Sequence, residues 1–370
     1  MGVKIYYLIV AAVLLFGILL PQDGKQKKTY ITLMALLHTF VCGFRYMYLT
    51  GDLRKYAWGY YTIVDYGWFS EKVFSGGRNF GFFWLQKFFS LISGGDFQVF
   101  LIFIAIVTEV AVAMIIYKYS PDPCLSYLLW NCFGFYTFGF SAIKQALAMG
   151  ILMFAFTGIM DEKPKRFLLL TLLAGCIHTP ALIFLPAYWI AKSRISIQKL
   201  VIYAIGAVAV FVFRNPIVEF ISDFYYEETD FADNEHVGGR FLMIVALLLI
   251  GAVLRGFSGK NFSKLFNLML VAAVLQMFSG FDNVFTRLTD YYFQFLILYL
   301  PMMLYPEKDE LLEGGPQIRC LRLTSEQRVV ALLCVVILAM LFYYVTILSV
   351  NIESSVDNYL NYRFCWEVRT

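Results

Sequence analysis

Charge is scarce in this chain of 370 residues. Only 15% of the residues are Asp, Glu, Lys or Arg, whereas a soluble globular protein carries roughly 25%. Apolar residues make up 60% of the sequence, and they form about ten stretches long enough to cross a hydrocarbon core of roughly 30 Å. This pattern excludes a soluble globule and predicts an all-α, polytopic helical membrane protein.

Motifs for common cofactors are also missing. The seven cysteines form no CxxC pair and no cluster with the three histidines, and their odd number and irregular spacing argue against a disulfide framework. The sequence contains no Walker A loop and no GxGxxG before a helix. We therefore expect no metal, no cofactor and no nucleic-acid partner.

The apolar stretches predict about ten transmembrane helices within a single integral-membrane domain, 1–370. The first stretch lacks an Ala-x-Ala cleavage site, so we interpret it as a span rather than a signal peptide. The predicted spans are 4–20, 29–46, 97–117, 122–140, 142–160, 198–214, 240–256, 264–282, 286–305 and 329–350.

The distribution of Lys and Arg among the short loops predicts the orientation. Basic loops, including 306–328, belong on the cytoplasmic side. The segment 47–96 and the acidic loop 215–239 belong outside. Within the outer segment, Phe80–Ile92 is aromatic, amphipathic and too short to span, which predicts a helix in the membrane interface.

One apolar segment, 167–191, has basic clusters at both ends and contains Pro180. Proline lacks the backbone donor and clashes with the preceding turn, so the helix should break or kink there. As one helix the segment would cross the membrane and reverse every later loop. As two half-helices it would be a re-entrant hairpin with His178 near its tip, and the charge bias favours this second interpretation.

Several ionisable residues lie at or inside the ends of the apolar runs, namely Arg45, Lys144, His178, Arg240 and Arg287. A charge at membrane depth costs roughly 2.5–3.5 kcal/mol on insertion scales, so it usually lines a cavity. Each cation could instead extend to the interface, and Arg287 could pair with Asp290 or Asp282. For Glu109, in the middle of a span, a structural hydrogen bond or pairing with Lys87 is the leading alternative to catalysis.

The order of several short motifs resembles the EpsG family of polysaccharide polymerases over roughly residues 30–305. This chain departs from the family pattern at Lys144, where members of the family commonly have Arg. The motifs are Phe44-Arg45, Gly51-Asp52, Tyr56, Ala142-Ile143-Lys144-Gln145-Ala146-Leu147-Ala148, Lys165-Arg166-Phe167-Leu168, Ile177-His178-Thr179-Pro180-Ala181-Leu182-Ile183, Arg287, Tyr291 and Pro301.

This resemblance implies a Wzy-like glycosyltransferase of the bacterial cytoplasmic (inner) membrane, with its active site facing outward. Such an enzyme polymerises oligosaccharide repeat units linked to a polyprenyl pyrophosphate, such as undecaprenyl pyrophosphate, into exopolysaccharide, capsule or O-antigen. Donor and acceptor are both lipid-linked, and membrane lipid, a chain-length regulator and a flippase are further candidate partners. No nucleotide or metal is implied, because the donor is already activated.

The expected reaction is a single displacement with inversion at the anomeric carbon. His178 is the first candidate base, since a neutral imidazole is available near pH 7, and Asp52 is the second. Arginine pairs with phosphate oxygens in two-pronged fashion, so cations should hold the pyrophosphate. The candidate binding residues are Arg45, Tyr56, Lys144, Gln145, Arg240, Arg287 and Tyr291.

Three other functions remain open from the residues alone. A lipid-linked oligosaccharide flippase would be expected to show internal repeats, and none is evident. A membrane O-acyltransferase would be expected to carry a more N-terminal catalytic His motif. A ligase that transfers the glycan to a lipid core is hardly separable from a polymerase.

Overall fold

A computed structural model describes residues 4–20, 23–74, 77–194, 197–216, 238–255, 259–306, 323–345 and 361–367. Within these ranges every regular element is a helix. Residues 217–237 of the acidic loop 215–239 and residues 307–322 of the loop 306–328 lie outside the described residues.

The α-helices are numbered in chain order. They are α1 Lys4–Leu19, α2 Gly24–Gly43, α3 Gly51–Thr62, α4 Glu71–Phe74, α5 Phe80–Ile92, α6 Phe97–Tyr119, α7 Pro123–Cys132, α8 Phe135–Phe138, α9 Ile143–Met160, α10 Pro164–Ile177, α11 Ala187–Lys192, α12 Ile197–Val212, α13 Gly239–Arg255, α14 Lys260–Gln276, α15 Asn283–Phe293, α16 Leu296–Leu304 and α17 Ser325–Tyr343.

Three helices in the described part of the chain, α6, α9 and α17, are long and apolar enough to cross a membrane. Shorter apolar helices occur at Lys4–Leu19, Phe80–Ile92 and Val201–Val212. These findings confirm a helical membrane protein, while the number of ten crossings stays a prediction.

Two predicted spans are interrupted rather than continuous, so the prediction of single helices was wrong there. The span 122–140 divides into α7 and α8 at Gly134, whose φ of 79° no right-handed helix contains. The span 286–305 divides into α15 and α16, where the Gln294 side-chain amide donates to the carbonyl of Tyr291 at 3.1 Å. In a continuous helix, that carbonyl would accept a hydrogen bond from a backbone nitrogen one turn later.

The chain forms two compact units, which are described separately. The first unit comprises Met1–Leu182 with Val329–Thr370, and the second comprises Ile183–Arg328. In the first unit α6 packs against α2 and α9, and α9 packs against α10.

Glycines permit these close helix contacts, as is common between membrane helices. A Cβ at Gly150 of α9 would lie 3.2 Å from Cα of Thr108 on α6. A Cβ at Gly158 would lie 2.8 Å from the backbone nitrogen of Phe167 on α10. Larger residues at these two positions would force α9 away from its neighbours.

The predicted amphipathic helix is present as α5, with the predicted bounds, while its place on the outer face stays a prediction. Its buried face includes Lys87, which donates from Nζ to the carbonyls of Val64 at 2.9 Å and Tyr66 at 2.5 Å. Lys87 therefore holds the loop that precedes α4. The suggested pairing of Lys87 with Glu109 was wrong, because loop carbonyls take up the ammonium group.

The segment around Pro180 is broken, as the sequence predicted. α10 ends at Ile177, a 3₁₀ helix follows at Thr179–Phe184, and α11 begins at Ala187. α10 packs against α9 and α5, and α11 packs against α14. The re-entrant course of this segment stays a prediction.

In the second unit α14 is the central helix, with contacts to α11, α13, α15 and α16. Asn267 on α14 donates to the carbonyl of Ser193 at 2.8 Å. The hydroxyl of Tyr299 on α16 donates to the carbonyl of Leu247 on α13 at 2.9 Å. These polar contacts satisfy carbonyl groups inside an apolar unit.

Candidate functional site

Residues 139–142 form a turn between α8 and α9, and this turn is the centre of the candidate site in the first unit. Arg45 lies behind it with an exposed fraction of 0%. Its Nη2 donates to the carbonyl of Gly139 at 3.2 Å, and its Nη1 donates to the carbonyl of Cys42. The guanidinium thus joins the C-terminal end of α2 to the turn.

Burial decides what Arg45 can do. Its charge is compensated by carbonyl dipoles at a helix C-terminus, where cations are favoured. It also lies over the Phe140 ring, 5.6 Å from the centroid. A guanidinium without exposed surface cannot reach a substrate in this conformation, so the geometry gives Arg45 a positioning role.

The C-terminal segment 361–367 covers the end of α2. Tyr46 donates from its backbone nitrogen to the carbonyl of Arg363 at 2.8 Å, and Cys365 donates to the carbonyl of Phe44 at 2.9 Å. Tyr362 is fully buried, and its hydroxyl donates to the carbonyl of Val41 at 2.8 Å. This segment fixes the backbone on both sides of Arg45.

Asp52 reaches the same turn from the other side. Thr50 is the N-cap of α3, accepting at Oγ1 from the backbone nitrogen of Leu53 at 3.2 Å. Ser141 lies 3.3 Å from that hydroxyl and donates to Oδ2 of Asp52 at 3.5 Å. The N-terminal turn of α3 therefore places a half-exposed carboxylate beside the turn.

Lys144 lies in the first turn of α9, directly after the turn. No side chain caps the N-terminus of α9 at Ala142. Lys144 is half-buried, and no described residue forms a hydrogen bond or an ion pair with it. Its neighbour Gln145 is buried and faces the interior. An ammonium group at an uncapped helix N-terminus favours an anion.

His178 is the C-cap of α10, and its backbone nitrogen donates to the carbonyl of Ala174 at 2.8 Å. Its side chain is half-buried. The next residue, Thr179, donates from its backbone nitrogen to Oδ1 of Asn79 at 2.8 Å. In return, the backbone nitrogen of Asn79 donates to Oγ1 of Thr179 at 3.2 Å. This reciprocal pair ties the start of α5 to the His178 turn.

The same helix, α5, also contacts the neighbourhood of Tyr56. Gln86 donates to the carbonyl of Tyr56 at 3.3 Å, and the Phe82 and Tyr56 rings meet edge to face at 5.6 Å. Thus α5 joins two sequence-predicted site residues, Tyr56 on α3 and His178 after α10, within one unit.

The sequence did not identify Asn79, Thr179 or Ser141 as site residues. Asn79 occupies the N-cap position of α5, which its residue type favours, but it makes no cap hydrogen bond and has a φ of 55°. Its partner is 100 residues away. Only the fold brings the two together, so no local sequence signal reveals the pair.

The remaining predicted residues lie in the second unit. Arg240 forms an ion pair with Asp290, and its guanidinium lies over the Phe293 ring at 4.4 Å from the centroid. Arg287 is exposed on α15, and Tyr291 is fully buried. Asp290 forms its ion pair with Arg240 and also feels the charge of Arg287, so the alternative of a pairing between Arg287 and Asp290 stays open, while Asp282 is the N-cap of α15.

The first unit therefore combines two cations, a carboxylate and a turn that is held by hydrogen bonds. Arg45, Asp52 and Lys144 all lie at or beside the turn 139–142. Among the described residues, no group of three or more His, Cys, Asp or Glu side chains could hold a metal ion. That the cations of the second unit also hold the pyrophosphate stays a prediction.

Comparison with known proteins adds one match. The model of the EpsG family matches residues 28–311, which is more than half of the chain. No curated protein and no solved structure matches this chain.

Proposed function

Because the chain belongs to the EpsG family, we propose that it polymerises oligosaccharide repeat units carried on a polyprenyl pyrophosphate. Family membership supports a polymerase-type enzyme of exopolysaccharide synthesis in a membrane. The proposal adds the substrates, the single inverting displacement and an active site on the outer face.

In the proposed reaction, a hydroxyl of the acceptor glycan attacks the anomeric carbon of the donor. The new glycosidic C–O bond forms as the bond between the anomeric carbon and the pyrophosphate oxygen breaks. The hydroxyl proton passes to a base, and the electron pair leaves with the polyprenyl pyrophosphate. Since the donor is already activated, the reaction needs no nucleotide.

The proposal depends mainly on the position and surroundings of Lys144. It combines an uncapped helix N-terminus with an ammonium group that no described protein group neutralises. Negative charge develops on the departing pyrophosphate, and preorganised positive charge is the main way to stabilise it. Lysine provides a point charge rather than a planar fork, which suits one phosphate oxygen.

Asp52 and His178 are the two candidate bases. Asp52 is half-exposed beside the turn, at the N-terminus of α3. His178 is half-buried at a turn that Asn79 and Thr179 hold. Hydrogen bonds fix the surroundings of both residues, which helps a general base to meet the acceptor hydroxyl.

A reconstituted assay tests the proposal. The full chain in lipid vesicles, supplied with lipid-linked repeat units, should produce a ladder of polymers. His178→Ala and Asp52→Asn should be compared, and the variant that loses the ladder while keeping the fold identifies the base. An unchanged ladder with His178→Ala would remove His178 from that role.

Other outcomes would contradict the proposal as a whole. Translocation of the repeat units across the vesicle membrane without polymer growth would favour a flippase. Transfer of single glycans to a lipid core without polymer growth would favour a ligase.

A further inference from the structure

Glu109 lies in the middle of α6 and has an exposed fraction of 2%. No ion pair joins it to any described residue. An uncompensated carboxylate inside a membrane is expensive. Electrostatics therefore favour a neutral carboxylic acid at this position, which needs hydrogen-bond partners of its own.

The partners that the protein provides are incomplete. The indole N–H of Trp130 on α7 lies close enough to Glu109 to act on its carboxyl group. The two side chains do not meet in hydrogen-bond geometry, however, and Oε2 of Glu109 and Nε1 of Trp130 are both buried without a hydrogen-bond partner. Buried polar atoms are hydrogen-bonded in the large majority of cases, so two such atoms side by side call for a ligand.

A cavity of about 20 Å³ is lined by both residues. Its walls come from five helices and include Cys42, Glu109, Trp130, Gly139, Gly150 and Met153. A cavity needs roughly 10–15 Å³ to hold one water molecule, together with two or more polar partners. The volume is too small for a sugar, a phosphate or a polyprenyl chain.

We propose that this cavity is a binding site for a single water molecule inside the membrane. The water accepts a hydrogen bond from Nε1 of Trp130 and donates one to Oε2 of Glu109. It thereby links α6 to α7 beneath the turn 139–142. The same cavity wall includes Cys42 and Gly139, whose carbonyls hold Arg45. The water site does not depend on the proposed function.

The direct test is a structure of the full chain in lipid nanodiscs, determined at a resolution that shows ordered water. Density should lie within hydrogen-bond distance of both Oε2 and Nε1 in the native protein and in Glu109→Gln, whose amide oxygen keeps the acceptor. It should be absent from Glu109→Leu. A direct bond between the two side chains, or an apolar void, would overturn the proposal.

Thermal unfolding gives a second measurement that needs no high-resolution structure. Removing one polar group leaves the other unpaired, whereas removing both can be nearly neutral. The double variant Glu109→Met with Trp130→Phe should therefore lower the unfolding temperature by less than the two single changes combined. Strictly additive losses would contradict a shared water.

Thr108 provides the matched control, since it precedes Glu109 and also lines the cavity. Its hydroxyl is already bonded to the carbonyls of Ile104 at 2.9 Å and Ala105 at 3.1 Å. Thr108→Val should leave the water density in place. Loss of the density in this variant would assign the site to Thr108 rather than to the Glu109–Trp130 pair.

Discussion

Cations near the turn 139–142 and the cation Arg240 on α13 of the second unit have different surroundings, although the sequence assigned both to one role. At the turn, Arg45 bonds to neutral carbonyls and Lys144 bonds to no described residue. On α15, Asp290 neutralises Arg240. Net positive charge therefore remains at the turn, while the Arg240 pair is closer to neutral.

This difference shows that a cation at the end of a membrane span has at least three fates. It can hold backbone carbonyls, pair with a carboxylate, or stay available to an anion. The residue type does not distinguish these fates. The partner does, and each fate predicts a different result on substitution.

The largest effect should come from Arg45. Arg45→Ala removes the donors for the carbonyls of Cys42 and Gly139, and charged hydrogen bonds contribute about 1.5–3 kcal/mol each. We expect a loss of about 3–5 kcal/mol in the free energy of unfolding, measured by thermal unfolding in detergent. Polymer formation should be lost together with stability.

Arg45→Lys tests the same point with the charge kept. A single ammonium lacks the planar fork that joins α2 to the turn, so stability should still fall. If this variant is as stable as the native protein but inactive, Arg45 binds the substrate directly and the positioning role is wrong.

The pair Arg240–Asp290 should give the next largest effect. Its side chains are 20% and 13% exposed, so solvent moderates the cost of breaking it. Arg240→Gln leaves the carboxylate of Asp290 without its partner and should lower the free energy of unfolding by about 2 kcal/mol, less than for a fully buried pair.

A double-mutant cycle with Asp290→Asn completes this test. The double variant should lose less stability than the two single variants together. Additive losses would mean that Arg240 is not neutralised by Asp290. Arg240 would then resemble the cations at the turn.

Lys144 should affect activity rather than stability. Lys144→Gln removes an ammonium group that contacts no described partner, so thermal unfolding should change little. One charge-assisted hydrogen bond to the leaving pyrophosphate corresponds to a loss of roughly tenfold or more in the polymerisation rate. Lys144→Arg is the control and should restore much of the rate.

A stability loss in Lys144→Gln equal to that of Arg240→Gln would contradict the comparison, because it would reveal a structural partner. An unchanged polymerisation rate would show that the pyrophosphate does not bind at the N-terminus of α9.

The smallest effect should come from Asn79. Asn79→Gly removes the bond to the backbone nitrogen of Thr179, while glycine accepts the φ of 55° without strain. We expect a loss of about 1 kcal/mol in stability and a lower polymerisation rate, measured on the same samples.

Asn79→Asp keeps an acceptor oxygen and should restore the rate if the bond positions the His178 turn. If both variants polymerise normally, the Asn79–Thr179 pair supports the fold alone.

The sequence predicted local features well where one segment is sufficient. The apolar run of α6 and the amphipathic pattern of α5 gave these helices close to their observed bounds. The break at Pro180 followed from the missing donor of proline. The interruptions at Gly134 and Gln294 escaped prediction, because hydropathy averages over a span and hides a single residue.

The roles of the candidate site residues stay predictions. The sequence singled out Arg45 and Lys144 by their charge at the ends of apolar runs and Asp52 as a candidate base, and all three lie at or beside the turn 139–142. The contacts that build the site, such as Arg45 with Gly139 and Thr179 with Asn79, join residues about 100 positions apart along the chain. No pattern within a single helix encodes such distances.

The sequence alone determined that this protein is helical, lies in a membrane and belongs to one family, because composition, periodicity and motif order are properties of the chain itself. Tertiary structure alone decided which cation is buried against carbonyls, which is neutralised and which bonds to no described residue. The physical reason is that the energy of a charge depends on the groups within a few ångströms of it, and packing chooses those groups.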